Sequence, residues 1–592
     1  MKKYSVMKHE QYILYINTLQ TEEAREKKET KIIYWELYNI NDFNFLNGSD
    51  GDELFKEICK LKYANFRKNI YLFVEDLNFY TPFLINIFKF TDKEKIEHNE
   101  IITENGVIYN LIFYLYGKKI VFYNLKVKGI MSLEQAAEIA GDNITSEIKK
   151  SKIYGAALKE LFDLGLKSTS ASNDAFNKLK EYSFGYKEFE KIHPTKKILE
   201  DENYKNFINS SIQGGFCFLN NKYKNIEIKE GYGFDVNAEY PAMMTKKEYR
   251  LPYEDKVFIN YYPYGDGIYF YGKYEYDEIR PLYIQHIIIK AYLKNKKLPV
   301  IMMNNRRTSK IKDFNFGFKN SYLYDTEEIS LNDGTLELFV NNIDMEEIKR
   351  NYYIESIKYI DGYKFGSMAG CYDNFYINFY NRRMIAKKEN NLKKSSILKL
   401  LLDSSTGKFA QIADVKSKNI KENNGICEIE LNDEESKIKQ NYLPTASFLY
   451  AYARRYIRRW SEFFEDDFIY ADTDSIYIQT KTKRAKERIK FLNISENLGD
   501  FKIEHHFERA KFLQKKSYCL YSKEEGYIIK FSGMTSYTKN FLQDEMNEGR
   551  IKFKDYKPGL TIKAHEMRPV KVKGGVLYYP FDFTIKSDQI TM

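Results

Sequence analysis

The sequence is poor in cysteine and proline and has no long uncharged apolar run. Its five cysteines are far apart, odd in number and without a CxxC pair. This spacing argues against a zinc site or a disulfide framework and for a reducing compartment. No stretch approaches the ~18 apolar residues of a membrane span, and charges interrupt the N-terminal segment where a signal peptide would be apolar. The expectation is a cytosolic protein without membrane attachment.

The chain is rich in aromatic residues and mildly basic. At 592 residues it is too long for one ordinary core, so three or more structural units are expected. Lys and Arg total 93 against 83 Asp and Glu, a net charge of +10. This charge suits a polyanion-binding surface and equally suits an ordinary basic protein. Most of the 52 tyrosines and 42 phenylalanines should form core, although aromatic rings can also stack on bases.

Apolar patterning predicts an α/β multidomain chain. Residues 1–180 alternate strand-like and helical runs, with a polar loop at 168–174. Further along, the pattern looks irregular, then helical, then polar and turn-rich, and ends in a helix, a hairpin and a β-rich tail. The predicted early strands are Ile70–Val74, Val107–Leu115 and Lys119–Asn124, the early helices Leu133–Ala140 and Tyr154–Leu166, and the later regions 247–374 (irregular), 375–410 (helical), 411–443 (turn-rich) and 470–478 (hairpin).

One candidate catalytic segment is GYGFDVNAEYPAMM, residues 231–244. An apolar strand ends at Asp235, and Pro241 then turns the chain out of the strand. A carboxylate beside the free backbone carbonyl of Val236 suits a hard divalent cation. Taken alone, such an Asp is more often a cap or turn residue.

A second segment, FIYADTDSIYIQT at 468–480, has the pattern of a β-hairpin with two acids at its tip. Asp472 and Asp474 are two residues apart and so lie on one side of the chain. They repel each other unless a cation lies there. A solvated turn is the alternative.

A third segment is basic: Lys387 is followed by KLLLDSSTGKFA at 399–410. On a helix, positions 399, 403, 406 and 407 share one face, and a cation on that face can bind a triphosphate. By itself, the basic run 382–399 is more typical of a solvated surface. Together, however, the three segments supply the parts of two-metal phosphoryl transfer, with two ions about 4 Å apart bridging Asp235 and Asp474.

In this order, DVNAEYP, KLLLDSSTGKFA and YADTDS resemble the three polymerase motifs of family B DNA polymerases, and above all the protein-primed polymerases of bacteriophages with linear genomes. The resemblance runs from about Gly214 to the C-terminus. It also covers QGGFCFLN, RPLYIQHI, YIDGYKFGSMAG, QKKSYCL, SGMT and GGVLYYPFDFTIK. It implies a right-hand fold of palm, fingers and thumb, preceded by a ribonuclease H-like exonuclease-type domain.

The resemblance implies roles for individual residues. Asp235 and Asp474 would be the main ligands of two Mg²⁺ ions, with Mn²⁺ as an alternative, Asp472 supporting and the Val236 carbonyl assisting. Tyr240 would be the steric gate that selects deoxynucleotides. Nucleotide would also be bound by Lys387, Lys399, Asp403 and Thr406, and primer or template by Gln213, Gly214, Gly215, Arg454, Lys516, Tyr518 and Lys530. Arg454 also belongs to a predicted helical stripe, AYARRYIRRW, that is suited to phosphates and equally typical of a solvated face.

The resemblance also implies domains and partners. The exonuclease-like domain would be 1–180, the palm 181–246 and 444–535, the fingers 375–410 and the thumb 536–592. Insertions that grip the terminal protein and the DNA in protein-primed relatives, and support strand displacement, would be 247–374 and 411–443. The partners would be template and primer DNA, dNTPs, a terminal protein primer and a single-stranded-DNA-binding protein. The polymerase would act as a monomer in the host cytoplasm, encoded by a phage or linear plasmid.

Some polymerase positions depart from the family. Thr406 stands in place of a Tyr that packs on the nascent base pair, Asp403 replaces an Asn, and Ile212 replaces a Tyr. Threonine has no aromatic face, so base selection should be looser or differently arranged. Lys399 lies four residues before Asp403 and is a candidate partner for its charge.

The exonuclease-type domain departs further. This chemistry needs two metals held by about four acids, because carboxylates must offset the cost of cation dehydration. Near the start Glu10 has no paired Asp, and Tyr80 and Ser151 stand where Asp is expected. Asp76 occupies an Asn position, and Asn124 stands where another acid is usual. We therefore expect a folded domain without editing activity.

Two other functions stay open at this point. One is a catalytically inactive DNA-binding replication scaffold, which the intact Asp235, Asp472 and Asp474 disfavour. The other is an RNA-synthesising or RNA-copying polymerase, which Tyr240 and the DTDS form of the hairpin disfavour.

Overall fold

The structure is a computed structural model that describes residues 10–65, 69–88, 97–102, 106–115, 118–142, 144–145, 149–303, 321–324, 334–411, 414–437 and 441–586. The elements before residue 212 are β1 Glu10–Thr18, α1 Glu22–Lys27, β2 Ile32–Asn39, β3 Phe45–Gly48, α2 Gly51–Ala64, β4 Ile70–Val74, α3 Leu77–Phe88, β5 Glu97–Ile102, β6 Ile108–Leu115, β7 Lys118–Asn124, α4 Leu133–Ala140, α5 Lys150–Asp163, α6 Ala171–Ser183, α7 Tyr186–Ile192, α8 Lys196–Glu200 and α9 Glu202–Ser210.

The N-terminal unit is a seven-stranded sheet in the order β3-β2-β1-β4-β7-β6-β5. Strands β1, β4 and β7 run parallel at its centre. Strand β4 is buried along its whole length, because a central parallel strand is covered on both faces. Helices α2 and α3 pack on one face, and α4 and α5 pack on the other. This is the α/β domain that the sequence predicts.

The elements from 213 to 411 are β8 Phe216–Leu219, β9 Glu227–Ile228, β10 Gly231–Val236, α10 Glu239–Met243, β11 Tyr249–Arg250, β12 Val257–Phe258, β13 Tyr262–Tyr271, β14 Leu282–Leu293, β15 Met302–Met303, β16 Ser321–Tyr322, β17 Leu336–Asn341, α11 Asn342–Asn351, β18 Tyr352–Met368, α12 Asp373–Lys388 and α13 Leu392–Thr406. From 414 onward they are β19 Asp414–Asn423, β20 Ile426–Lys437, α14 Leu443–Phe463, β21 Phe468–Thr473, β22 Ser475–Gln479, α15 Lys483–Ile489, β23 Phe501–Phe507, β24 Arg509–Gln514, β25 Ser517–Ser522, β26 Gly526–Phe531, α16 Ser536–Asn547, β27 Thr561–Val572 and β28 Gly575–Thr584.

A five-stranded antiparallel sheet, β23-β10-β22-β21-β8, forms the centre of the molecule. Helix α14 packs against this sheet, and 20 of its 21 residues are buried. A second antiparallel sheet, β26-β25-β24-β9, lies beside it, and the β27–β28 hairpin follows in the chain. Among the described residues, no helix is both long enough and apolar enough to cross a membrane.

The predicted elements are confirmed at several places and wrong at others. Strand β4 and helix α4 have the predicted limits, and α12 and α13 fill the predicted helical region. The predicted loop at 168–174 is partly wrong, because α6 begins at Ala171. Its polar residues are a helix start, where the Ser170 side chain accepts a hydrogen bond from the Asn173 amide.

The described part of the region 247–374 is not irregular. It contains the antiparallel sheet β13-β18-β14-β17, whose three longest strands have 10, 12 and 17 residues. Register shifts interrupt the pairing of β18 with β13 and of β18 with β14. Such bulges break the alternation of apolar and polar residues by which a strand is recognised in sequence.

His193 gives the fold a pH dependence. It is buried after α7, its Nε2 shares a hydrogen bond of 2.8 Å with Tyr372 Oη, and burial lowers its pKa to about 3. The folded pKa lies below the unfolded value of ~6.5, so the neutral ring is favoured in the fold. The associated stability is present above pH ~6.5 and is lost as pH falls toward 3, by roughly 5 kcal/mol in total.

We expect His193→Gln to lose less unfolding free energy than the unaltered protein between pH 7 and 4.5. Urea unfolding followed by tryptophan fluorescence measures this difference. The exposed His506, replaced by Gln, is the control and should behave like the unaltered chain. Identical losses in all three proteins would show that His193 does not titrate in this way.

Candidate active site

The tip of the β21–β22 hairpin lies against the end of β10. Asp472 pairs with Ser475 across the hairpin, and Asp235 pairs with Ser475 across β10 and β22. The Val236 amide donates to the Asp474 carbonyl oxygen at 2.8 Å. This antiparallel register brings the three predicted aspartates to one edge of the sheet.

The turn between Asp472 and Asp474 is unusually tight. The Asp474 amide donates to the Asp472 carbonyl oxygen at 2.8 Å, and Thr473 between them has a φ of 66°. A β-branched residue in the left-handed region is uncommon and costs backbone energy. The surrounding sheet therefore holds the two carboxylates in a conformation that an isolated turn would not adopt.

The aspartates are electrostatically unfavourable without a cation. The pKa of Asp474 is raised to about 7, first by burial and then by the charge of Asp235. Lysines flank the other two: Lys502 Nζ lies 2.6 Å from Asp235, and Lys516 Nζ lies 2.8 Å from Asp472. Because like-charged carboxylates at close range destabilise one another, the site favours a bound divalent cation.

The donor set fits a hard cation with oxygen ligands. Asp235 is close enough for its charge to raise the pKa of Asp474, while Asp472 is turned toward Lys516. Within the described part of the chain, no cluster of three or more His, Cys, Asp or Glu side chains surrounds a single metal position. The residues able to hold metal are therefore Asp235 and Asp474, with the Val236 carbonyl next to them and Asp472 at the margin.

Glu239 is a fourth carboxyl group near this site that the sequence analysis did not single out. It opens α10, is only 2% exposed, and neither of its carboxylate oxygens has a hydrogen-bond partner among the described residues. Burial raises its pKa well above the ordinary value, and Asp474 and Asp235 raise it further. The only signal in the sequence is an acid inside an otherwise apolar motif.

Tyr240 lies between the turn and α14. Its ring packs edge-on against Tyr450 with centroids 5.2 Å apart. A Cβ built on Gly215 would lie 3.0 Å from Tyr240 Oη and 2.7 Å from Thr473 Cγ2. Only a glycine lets the backbone pass this close to both side chains.

Cations of α12 and α13 gather on one side of the site. The pKa of Lys387 is lowered by partial burial and then by repulsion from Arg383, with smaller effects of Lys502 and Lys399. Burial raises the pKa of Asp403, and the charges of Lys399 and Arg383 oppose this rise, but no ion pair between Asp403 and Lys399 forms among the described residues. The sequence analysis missed Arg383, four residues before Lys387 on the same helix face.

Several predicted nucleotide and primer contacts are less accessible than expected. Thr406 is 4% exposed and faces the core. Tyr518 is 6% exposed, and its hydroxyl shares a hydrogen bond of 2.9 Å with Tyr477. By contrast, Lys516 and Lys530 reach solvent at the ends of β25 and β26.

The predicted phosphate-binding stripe of α14 is wrong. Arg454 and Arg458 are fully buried, and Arg455 and Arg459 nearly so. They pair with acids of the 247–374 region: Arg454 with Asp344, Arg458 and Arg459 with Glu347. Charged helix faces can be buried when every charge finds a partner, which the sequence pattern does not reveal.

The exonuclease-type positions hold few acids. Asp76 is paired with Lys126 at 2.6 Å, and Tyr80 Oη accepts a hydrogen bond from the Ile16 amide. Asn124 is buried and donates to the Ile108 carbonyl oxygen. Ser151 is fully buried, and its amide donates to Glu36.

Glu10 does not belong to this group. It pairs with Ile70 at the start of β1, whereas Asp76 and Tyr80 follow the far end of β4. The side chains of β1 near that end are Tyr15 and Asn17, which are hydrogen-bonded to each other at 2.6 Å. Lys150 Nζ lies 3.0 Å from Tyr15 Oη. Neither Tyr15 nor Asn17 is an acid, so the sequence pattern did not single them out. The first exonuclease-type position was therefore predicted at Glu10, too early in the chain.

Comparisons with known proteins agree with this architecture. A family model of DNA polymerase type B, organellar and viral, matches residues 151–496. The chain belongs to this family of DNA polymerases. The DNA polymerase of Bacillus phage B103 is 31% identical over 599 residues, covering 93% of this chain and 96% of that protein. The DNA polymerase of Bacillus phage phi29 is 32% identical over 455 residues, covering 74% and 70%.

A solved structure supports the same assignment. Phi29 DNA polymerase complexed with primer-template DNA and incoming nucleotide substrates matches with a TM-score of 0.79 at 26% identity, covering 98% of this chain and all of that one. This match confirms the predicted fold class, a right-hand polymerase with an N-terminal exonuclease-type domain.

The carboxylate pair yields a prediction about metal binding. We expect Mg²⁺ or Mn²⁺ at tenfold over its Kd to raise the melting temperature by roughly 2 °C, because a ligand of the folded state stabilises that state. Asp474→Asn should abolish the shift. Asp466→Asn, at an exposed carboxylate before the same hairpin, should retain it. Equal shifts in both variants would place the metal elsewhere.

Proposed function

We propose that this chain is a DNA-directed DNA polymerase that extends a primer hydroxyl by two-metal nucleotidyl transfer. The observation that carries the proposal is the pairing of Asp235 with Ser475, which brings the hairpin turn at Asp474 to the end of β10, together with a pKa of about 7 for Asp474. A bound divalent cation would stabilise such a site by offsetting the repulsion between the two carboxylates. When bound, two Mg²⁺ ions, or Mn²⁺, would lower the pKa of the primer hydroxyl and neutralise the leaving pyrophosphate.

The remaining side chains position the substrates. Tyr240, fixed by Tyr450 and Gly215, would occupy the space of a ribose 2′-hydroxyl and so select dNTPs. Lys387 and Lys399, joined by Arg383, would bind the triphosphate, and positioning of this kind supplies much of the rate enhancement in phosphoryl transfer.

Base selection would differ from that of relatives with an aromatic residue here. Thr406 is buried and offers no ring to the nascent base pair. Asp403 would balance Lys399 and Arg383 rather than contact nucleotide.

Lys516 and Lys530 are the accessible cations on the primer side. Tyr518 would support the primer site from the core, through its hydrogen bond with Tyr477. Arg454 would act indirectly, by holding the backbone at Gln213. Gln213 to Gly215 would contact the template strand.

We infer the same domain limits as from the sequence. The exonuclease-like domain would be 1–180, the palm 181–246 and 444–535, the fingers 375–410 and the thumb 536–592. The β19–β20 hairpin falls in the insertion 411–443, and its Cys427 thiol lies 3.8 Å from the Pro82 carbonyl of the N-terminal unit. A hairpin fixed between domains in this way suits the separation of template strands.

We also propose that synthesis is primed by a protein. The first nucleotide would be added to a hydroxyl of a separate terminal protein, held by the insertions 247–374 and 411–443. A single-stranded-DNA-binding protein would cover the displaced strand. The support is the likeness over almost the whole chain to phage DNA polymerases.

Primer extension tests the central proposal. We expect the unaltered protein to extend a primed template with dNTPs, with and without a strand to displace. Asp474→Asn should lower the rate on the order of 10³-fold, since it removes a charge that holds the metals.

Asp466→Asn is the matched control and should extend normally. An unaltered protein that binds primed template but adds no nucleotide would instead favour the inactive DNA-binding scaffold.

The exonuclease-type domain is proposed to lack editing activity. Lys126 and Lys150 bring positive charge to the place where metals would be needed, and the pKa of Lys150 is raised by Tyr15 and further by Glu75 and Glu36. Asp76, Glu75 and Glu36, opposed by these lysines, would not offset the dehydration of two cations.

We therefore expect a 5′-labelled single strand to keep its full length with Mg²⁺ or Mn²⁺ in the absence of dNTPs. Gel electrophoresis over a time course measures this. Trimming that disappears in an Asp76→Asn, Glu36→Gln variant would contradict the proposal, whereas trimming unchanged in that variant would indicate a contaminating nuclease.

A further inference from the structure

A short loop beside the active site is held by side chains of distant elements. The 213–215 loop (Gln213, Gly214 and Gly215) precedes β8, which pairs with β21 through Phe216 and Thr473. Gly215 approaches both Thr473 and Tyr240 so closely that no side chain would fit. The loop therefore lies directly against Tyr240 and the turn that carries the aspartates, and its withdrawal would leave space beside both.

Arg454 of α14 is the main support of the loop. Its Nη1 donates to the carbonyl oxygens of Gln213 at 2.7 Å and Gly214 at 3.0 Å. Its Nη2 lies 2.5 Å from Asp344 Oδ2 on α11. Arg454 is 0% exposed and Asp344 4% exposed, so water does not replace these bonds. The guanidinium thus joins the loop to a helix of the 247–374 region.

A second buried bridge runs beside the first. Ser211 Oγ donates to Ser447 Oγ of α14 at 2.9 Å. Asn341, the residue that caps α11, donates to Ser447 Oγ and to its carbonyl oxygen, each at 3.0 Å. All three side chains are buried. The two bridges fix the chain at Ser211, just before the loop, and at Gln213 and Gly214 within it.

We propose that Arg454 and Asp344 are positioning residues for sugar selection, which act by holding the 213–215 loop against Tyr240. This inference rests on the function proposed above, in which Tyr240 excludes the ribose 2′-hydroxyl. Tyr240 can reject a ribonucleotide only if its ring cannot retreat, and Gly215 closes the space behind its hydroxyl. Selection between dNTP and rNTP would then depend on Asp344, outside the central sheet.

The same two helices contain a matched control. Glu347 follows Asp344 by one turn of α11 and is equally buried. It pairs with Arg458 at 2.7 Å and with Arg459 at 2.6 Å, one turn further along α14. None of the described hydrogen bonds of these two arginines reaches the 213–215 loop. Loss of this pair tests the stability of the packing without touching the loop.

The experiment compares Asp344→Asn, Glu347→Gln and Gly215→Ala with the unaltered protein. Single-nucleotide extension gives kcat/KM for a dNTP and for the matching rNTP, and thermal unfolding gives stability. We expect both charge variants to melt earlier, because each leaves a buried guanidinium unpaired. Only Asp344→Asn and Gly215→Ala should lower the preference for dNTP, about tenfold, since small displacements of a positioning group cost rates of this size.

Two results would overturn the inference: an unchanged preference in Asp344→Asn, or equal losses in Asp344→Asn and Glu347→Gln. If Asp344→Asn does not fold, Ser447→Ala is compared instead, by the ratio of kcat/KM for dNTP to kcat/KM for rNTP. This variant removes only the hydroxyl shared by Ser211 and Asn341. An unaltered protein that extends no primer would overturn the proposed function and this inference together, whereas extension with unchanged selectivity would overturn this inference alone.

Discussion

The pairing of β10 with β22 is the constraint on which the active site depends. It brings Asp235 and Asp474 together from positions more than two hundred residues apart, against their mutual repulsion. The sheet can maintain this arrangement because its strands are fixed by a large buried core on both sides. The cost of the repulsion is also the source of metal affinity, since a divalent cation removes it.

The core that supports this pairing is itself unusual in its charge. Helix α14 runs through the middle of the molecule with four arginines inside, each balanced by acids, mostly of α11. Buried ion pairs contribute little net stability but penalise any arrangement that separates the partners. The 247–374 region is therefore attached to the central sheet in a defined orientation. Arg454 in turn holds the 213–215 loop in a fixed position relative to that region.

The N-terminal unit keeps its sheet and helices although its metal-binding acids are few. Tyr80 and Tyr15 contribute apolar area and hydrogen bonds where carboxylates would repel one another. Lys126 pairs with Asp76, and Lys150 donates to the Tyr15 hydroxyl. The unit also contacts the C-terminal hairpin, where Phe79 stacks on Tyr578 with centroids 5.5 Å apart. The structural contacts of this unit therefore do not depend on acids at the exonuclease-type positions.

The sequence by itself determined the class of the protein and predicted the aspartates that the structure brings together. Three short motifs in a fixed order were enough, because strand ends and hairpin tips are encoded locally, as in GYGFDV and YADTDS. Burial and partners were decided only by the tertiary structure. The exposure of Arg454, the orientation of Tyr518 and the long strands of the 247–374 region all depend on residues distant in sequence. No local pattern tells a solvated arginine from one that is neutralised by a helix a hundred residues away.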